Sequence, residues 1–412
     1  MTNNMHKYGV CYYYFTVSSY YCRMINRAIT SEIHRILKVF PAVAILDPRQ
    51  SGKTTLAKNI AAQSKKEVVY LDLEKASDRN ALRDPEIFFG EHRKKLIVID
   101  EIQQMPHLFT ALRPEIDEYR KSCRFLITGS AAPELVKGVS ESLAGRIAYK
   151  ELTPINLTEA LANKLTIKKH WHRGGFPTAL LAKSNEMYFT WTENFVRSYI
   201  ERDLRHLFGV SFSASLVRKF LVMLATNNGG IWNAEKFASS LAITGPTVNR
   251  YLDYLEAAYI IRKLPAWGIN AAKRLVKSPK IYFRDSGILH YFNNVYQASD
   301  LPSNLIIGSS WEGYAVEEII RHLPKGYSAY YLRTHHGAEV DLVIAKGITP
   351  IACVEIKYGM APNISSGFYI CAEDLKTKIN CIVYSGVDTY KIKNGTEYTS
   401  LLAFIDKVMK WK

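Results

Sequence analysis

The chain has 412 residues, 48% of them hydrophobic and 12% aromatic, which gives room for two or three packed cores and excludes disorder as its main theme. Lys and Arg outnumber Asp and Glu by 54 to 38, a formal charge of +16, and this balance suits polyanionic partners such as nucleic acid. No apolar run approaches the roughly 20 residues needed to span a bilayer, and the six cysteines show no CxxC pair, zinc spacing or disulfide framework, so a cytoplasmic protein without a membrane partner is expected.

Residues 1–23 are rich in tyrosine, with Tyr8, Tyr12, Tyr13, Tyr14, Tyr20 and Tyr21, yet lack the basic head, apolar middle and cleavage site of a signal peptide. They are read as a disordered tail or a mis-assigned start, with the functional chain beginning at Met24. An amphipathic helix follows at once, from Ile25 to Leu37.

A first strand, Val43–Leu46, leads into Asp47-Pro48-Arg49-Gln50-Ser51-Gly52-Lys53-Thr54-Thr55 and then a helix. Strand, tight loop ending in Gly-Lys-Thr and helix N-terminus together make a phosphate cradle. Residues Pro48 to Thr55 would wrap the phosphates, Lys53 would reach the β- and γ-phosphates, and Thr54 would hold Mg²⁺. The position that normally opens such a loop with Gly is Asp47, which brings negative charge next to the anion and sets turnover in question.

After a strand at Val68–Asp72 comes Leu96-Ile-Val-Ile-Asp100-Glu101, four apolar residues ending in two acids. A buried strand ending this way places Asp100 at Mg²⁺ and Glu101 where it can orient or deprotonate a water. A further strand, Arg124–Ser130, carries Thr128 and Ser130 as candidates for sensing the γ-phosphate or positioning the water. Arg146, in Ser142-Leu-Ala-Gly-Arg146, could neutralise charge on the transferred phosphoryl group, in cis or from a neighbouring subunit of a homo-oligomer, or could be a solvated residue after a helix-ending glycine.

The turn Arg173-Gly-Gly-Phe-Pro177 opens a helical stretch through Trp191 to Asp203 whose apolar positions recur at three and four, with Glu201, Arg202 and Asp203 read as a structural ion-pair cluster. Residues 213–283 read as a winged helix-turn-helix: helices at Ser215–Ala225 and Ala234–Leu241, then a third with Thr247, Asn249 and Arg250 near its N-terminal end, where groove contacts would be made. Arg262, Lys263, Lys273, Arg274, Lys277 and Lys280 form a basic wing. DNA is the expected partner, against the alternative of a protein-packing module.

The C-terminal part changes pattern again. A helix around Trp311–Ile320 precedes a hairpin of Tyr330–Arg333 and Ala338–Ile344 and a third strand, Ile351–Lys357. The strand period of two points Glu355 and Lys357 to one side, facing Asp341, as in a PD-(D/E)XK nuclease core. Glu312, Asp341 and Glu355 would bind Mg²⁺ and Lys357 would position water or stabilise the developing charge; the alternative is a nuclease-like scaffold kept for binding.

From Met24 onward these motifs, with Tyr199-Ile-Glu-Arg-Asp-Leu204, Ser278-Pro-Lys-Ile-Tyr-Phe-Arg-Asp-Ser-Gly287 and Trp311-Glu-Gly-Tyr-Ala-Val-Glu-Glu318, resemble a widespread group of predicted prokaryotic AAA-type ATPases. The resemblance implies an α/β fold: a P-loop NTPase with an AAA-type parallel sheet at 24–160, a helical linker at 161–212, the winged helix at 213–285 and a restriction-endonuclease-like domain at 286–412. It also favours ATP over GTP. The expected activity is Mg²⁺-dependent ATP hydrolysis coupled to DNA, with two alternatives: a nucleotide-gated regulator or scaffold without turnover, and an ATPase-gated endonuclease.

Overall fold

The computed structural model describes residues 25–130, 143, 145–204, 213–268, 276–360, 363–392 and 395–411. The expectations for residues 1–23 and for Lys273 and Arg274 lie outside these residues. The chain divides into two compact units, one ending at Asn163 and one starting at Lys164.

In the first unit, helix α1 (Ile29–Leu37) leads into β1 (Ala42–Asp47), α2 (Lys53–Ala62), β2 (Val68–Asp72), β3 (Leu96–Asp100), α3 (Leu108–Glu118), β4 (Phe125–Ser130), β5 (Ile147–Glu151) and α4 (Leu157–Ala162). The five strands form one parallel sheet in the order β2-β3-β4-β1-β5. β3 and β4 are buried at every position, as a parallel sheet covered on both faces requires.

The period of two along each strand sorts the side chains between two cores. Ala42, Ala44, Ile97, Ile99, Phe125 and Ile127 pack with Leu108, Leu112 and Ile116 of α3. Val43, Ile45, Val98 and Leu126 pack with Ile33 and Leu37 of α1 and Leu56 and Ile60 of α2. Because β4 pairs with both β1 and β3, it is this strand that stands between the phosphate-loop strand and the acid-bearing strand, while β2 forms the edge. All five chain directions agree, so the loops after β1, β3 and β4 open at the same end of the sheet, where α/β folds hold their ligands.

The second unit starts with short helices and α5 (Asn185–Phe195), which runs directly into a π-helical segment, Val196–Asp203. The expected long helix is therefore present, but its last eight residues are wound wider than an α-helix. Three helices follow, α6 (Ala214–Thr226), α7 (Ala234–Leu241) and α8 (Gly245–Ala257), then an antiparallel pair, β6 (Ile261–Leu264) and β7 (Lys280–Phe283).

Helix α9 (Ser286–Phe292) and α10 (Ile307–Arg321) lead to β8 (Tyr327–Arg333), β9 (Glu339–Lys346) and β10 (Thr349–Lys357). Then come α11 (Ser366–Leu375), β11 (Ile379–Tyr384), β12 (Tyr390–Lys391), β13 (Glu397–Ser400) and α12 (Leu401–Val408). The strands form a mixed sheet in the order β12-β13-β11-β10-β9-β8, antiparallel at β8/β9/β10 and parallel at β10/β11/β13.

Residues 213–285 and 286–412 both lie in this one compact unit. Buried Asn228 shows why: it donates to the Ser309 carbonyl at 2.8 Å and accepts from the Phe283 amide at 2.8 Å. The Trp267 amide donates to the Tyr331 carbonyl at 2.7 Å, which joins the chain after β6 to β8. Buried polar groups paired across such a boundary weld the two segments together.

Candidate functional site

The loop after β1 is shaped for close approach of a ligand. Gly52 sits at φ 103°, a conformation that glycine adopts without a side-chain penalty, and it opens α2 without any side-chain cap on the first amides. Those amides and the positive end of the helix are free to meet an anion. Pro48 and Ser51 are buried, Thr54 is half-buried, and Arg49, Gln50 and Thr55 are exposed. The loop is held from behind by Arg27, whose guanidinium donates to the Ser51 carbonyl at 3.0 Å and the Thr153 carbonyl at 2.6 Å and pairs with Glu159 at 3.2 Å. The Glu159 carboxylate in turn accepts from the amides of Ala28 and Asn156 at 2.7 and 3.1 Å.

Lys53, 4% exposed, is surrounded by oxygens: Asp47 Oδ1 at 2.8 Å, Glu101 Oε1 at 3.3 Å and Ser130 Oγ at 3.3 Å. Asp47 also accepts from the Ser51 hydroxyl. Burial pushes the Asp47 carboxyl well above the usual carboxylate range, against the pull of Lys53. Burial would lower Lys53, but Asp47 and Glu101 outweigh it and hold its ammonium above the ordinary value. Asp47 thus does more than tolerate the loop geometry: it supplies the negative partner that a phosphate would supply.

At the end of β3, Asp100 is buried and accepts from the Tyr70 hydroxyl at 2.7 Å and from Thr128 Oγ1. Thr128 also receives the Glu101 amide at 3.3 Å, so one hydroxyl fixes both acids. Glu101 sits in the left-handed region at φ 61°, which costs a non-glycine residue about 1–2 kcal/mol and is the kind of strain that clusters at functional sites. Gln103 completes the frame by donating to Glu101 and accepting from the Ser130 amide at 3.1 Å.

Lys53, Asp100, Glu101, Thr128 and Ser130 are therefore brought together as the spacing anticipates. Ser51, expected in the phosphate-wrapping loop, lies here too, while Tyr70, Gln103 and Arg27 join them without having been singled out. Arg146 is not among them. It precedes β5, whose Ile147 pairs with Ala42 at the start of β1, so it lies at the end of the sheet opposite the phosphate loop, about five residues at roughly 3.3 Å each along β1. There it pairs with Asp117 of α3 at 2.7 Å. In this register Arg146 does not lie with the phosphate-loop residues of its own chain.

The donor set fits a nucleotide with its magnesium: an uncapped helix start, a buried ammonium, and a hydroxyl and a carboxylate at Thr54 and Asp100.

In the second unit Glu312, Asp341, Glu355 and Lys357 do gather, on α10, β9 and β10. Lys357 is 2.7 Å from Glu355 and 4.0 Å from Asp341. The centre of the cluster, however, is Lys280 of β7, with Nζ at 3.1 Å from Glu312, 2.7 Å from Glu339 and 3.1 Å from Asp341. Among the described residues no group of three or more His, Cys, Asp or Glu side chains could hold a metal ion. The residues as arranged do not fit the expected Mg²⁺ set.

The basic wing is also largely spoken for. Arg262 pairs with Glu317 at 2.5 Å and Lys263 with Asp253 and Glu256. Asn249 accepts from the Trp232 indole at 2.8 Å, while Arg250 and Lys277 are exposed. No helix among the described residues is long and apolar enough to cross a membrane.

Comparison with known proteins agrees with the first unit's architecture. Residues 39–161 match the family described as "AAA domain", and residues 164–299 and 307–404 match two families described as domains of unknown function. An uncharacterized protein of Mycobacterium tuberculosis and one of Mycobacterium bovis are each 36% identical over 374 residues, covering 90% of this chain and 83% of theirs. An uncharacterized protein of Haemophilus influenzae is 24% identical over 249 residues, 55% of this chain and 60% of its own. Among solved structures, the Walker-type ATPase of Pyrococcus abyssi aligns at 13% identity and a TM-score of 0.41, covering 65% of this chain and 96% of that one. AMPPCP-bound DnaA from Aquifex aeolicus aligns at 13% identity and 0.31, covering 55% and 86%. The chain belongs to the family of the two mycobacterial proteins, with a P-loop AAA domain followed by two domains of unknown function.

Proposed function

We propose that the protein is a Mg²⁺-dependent ATP hydrolase. The observation that carries this reading is the convergence of Lys53, Glu101 and Ser130 at one point of the sheet's C-terminal end, next to the free start of α2. Thr54 and Asp100 would hold Mg²⁺, which when bound neutralises charge on the phosphate oxygens. Residues Pro48 to Thr55 would cradle the phosphates with their amides, and Lys53 would leave Asp47 for the β- and γ-phosphates. Glu101, its backbone fixed by Thr128 and its carboxylate by Gln103, would take the proton of the attacking water. A homo-oligomer remains part of the proposal only through Arg146, which could reach phosphate from a neighbouring copy.

A second reading is favoured by the Asp47–Lys53 pair: a nucleotide-gated protein that binds ATP and turns it over very slowly. The order of three helices and an antiparallel pair in 214–283 is compatible with a winged helix and supports a DNA-facing role for α8. The pairing of Arg262, Lys263 and Lys280 with acids favours a packing module instead.

Phosphate release from Mg-ATP, with and without duplex DNA and beside Lys53→Ala and Glu101→Gln, separates these readings. Turnover abolished in both variants supports the hydrolase; saturable ATP binding without turnover supports the gated protein. Stimulation by duplex DNA that falls steeply with salt would support DNA as a partner.

A further inference from the structure

We propose that Lys280 is an internal counter-cation that occupies the place of a divalent metal in the acidic cluster of the C-terminal sheet, so that this part of the protein takes no metal and cleaves no phosphodiester. The inference is independent of what the phosphate loop does.

An ammonium has three donors and no acceptor. Lys280 Nζ has three carboxylates around it, Glu312 Oε1, Glu339 Oε1 and Asp341 Oδ1, at 3.1, 2.7 and 3.1 Å, so every donor is used. These are ammonium distances; a magnesium ion would require oxygens near 2.1 Å from the same centre. Lys280 is 3% exposed and lies on a strand buried at all positions. Solvent therefore does not compete for it.

Glu312 Oε1 also accepts from the Tyr282 hydroxyl at 2.5 Å, and the second oxygens of the other two acids are committed, Glu339 Oε2 to Arg333 at 3.0 Å and Asp341 Oδ2 to the Ile356 amide at 3.0 Å. Glu355 turns to Lys357. The four carboxylates thus face Lys280, Lys357 and Arg333, which nearly balances the charge without any ion from solution.

A buried ammonium this well matched also explains the join between β7 and the C-terminal sheet. Removing the lysine would leave three carboxylates facing one another with a cation-sized gap between them.

The test is Mn²⁺ titration of nucleotide-free, full-length protein, read by electron paramagnetic resonance and by melting temperature. The wild type is expected to leave the free Mn²⁺ signal unchanged and to melt alike in EDTA and in MnCl₂. Lys280→Ala is expected to gain one Mn²⁺ per chain, lost again when Asp341→Asn is added. Mn²⁺ uptake by the wild type that disappears with Asp341→Asn overturns the proposal, and so does a folded Lys280→Ala that takes up no Mn²⁺. If Lys280→Ala does not fold, Lys280→Gln carries the same arm, and the wild-type titration decides the question by itself.

Discussion

Lys53 Nζ and Asp47 Oδ1 are 2.8 Å apart and both are almost fully buried, so the lysine proposed to meet phosphate already has an anionic partner within the chain. A nucleotide bound as proposed would have to take that lysine from Asp47 and sit beside its carboxylate. Asp47→Asn removes the competing charge while keeping the shape of the loop. We expect an ATP analogue to bind about tenfold tighter, ~1.4 kcal/mol, and the nucleotide-free variant to lose up to about 3 kcal/mol of stability because Lys53 keeps only Glu101 as a charged partner. Isothermal titration and denaturant unfolding measure the two effects; weaker binding by the variant would mean that Asp47 assists the ligand.

Gln103 links the ends of β3 and β4, donating to Glu101 and receiving the Ser130 amide. It touches neither phosphate nor magnesium in the proposed arrangement, so it acts through Glu101. Gln103→Ala should reduce kcat about ten- to a hundredfold, the scale of a displaced catalytic group, with KM for ATP little changed. A rise in KM at constant kcat would instead assign Gln103 to nucleotide binding.

What the sequence made legible follows from how local each signal is. Gly52-Lys53-Thr54 between a strand and a helix, and Asp100-Glu101 at the end of an apolar run, are contained within a few residues, and the structure brings them together at one end of the sheet. Arg27 and Glu159 are 132 residues apart, and nothing in either segment announces that they meet behind the loop. Lys280 was counted with the wing cations because charge is visible in a sequence and direction is not; its strand is buried throughout, which places the ammonium inside. β5 was missed because Ile147–Glu151 is only partly buried, with both Lys150 and Glu151 in it. With it was missed the register that moves Arg146 to the far end of the sheet.

The Arg27 brace predicts a mutation that damages the site from outside it. Its guanidinium holds two loop carbonyls and the buried Glu159, so Arg27→Ala leaves that carboxylate without its cation. A loss of about 3 kcal/mol is expected in unfolding of the first unit, the usual cost of breaking a buried pair from one side. ATP should stabilise the variant less than the wild type in a melting experiment, since the loop backbone is no longer held. An unchanged ATP-induced shift would show that the brace serves folding alone.

Glu317 in the second unit predicts a dependence on acid. Its carboxylate meets Arg262 at 2.5 Å, Arg284 at 2.9 Å and Arg321 at 3.2 Å. Burial would raise it, but the three guanidinium groups outweigh burial and hold it well below the ordinary value of 4.5. A carboxylate whose folded value is depressed contributes stability that is present above its unfolded pKa and is lost as pH falls toward the folded value. The second unit should therefore lose stability progressively below about pH 4.5, where the unfolded chain begins to take up the proton that the folded chain refuses. Glu317→Gln should cost about 3–5 kcal/mol at neutral pH, because three arginines are left around a neutral amide, and should flatten this acid limb of the melting curve. A variant that keeps the wild-type acid limb would move the dependence to other carboxylates, and one that is as stable as the wild type at neutral pH would show that Glu318 compensates by its own 2.7 Å pair with Arg321.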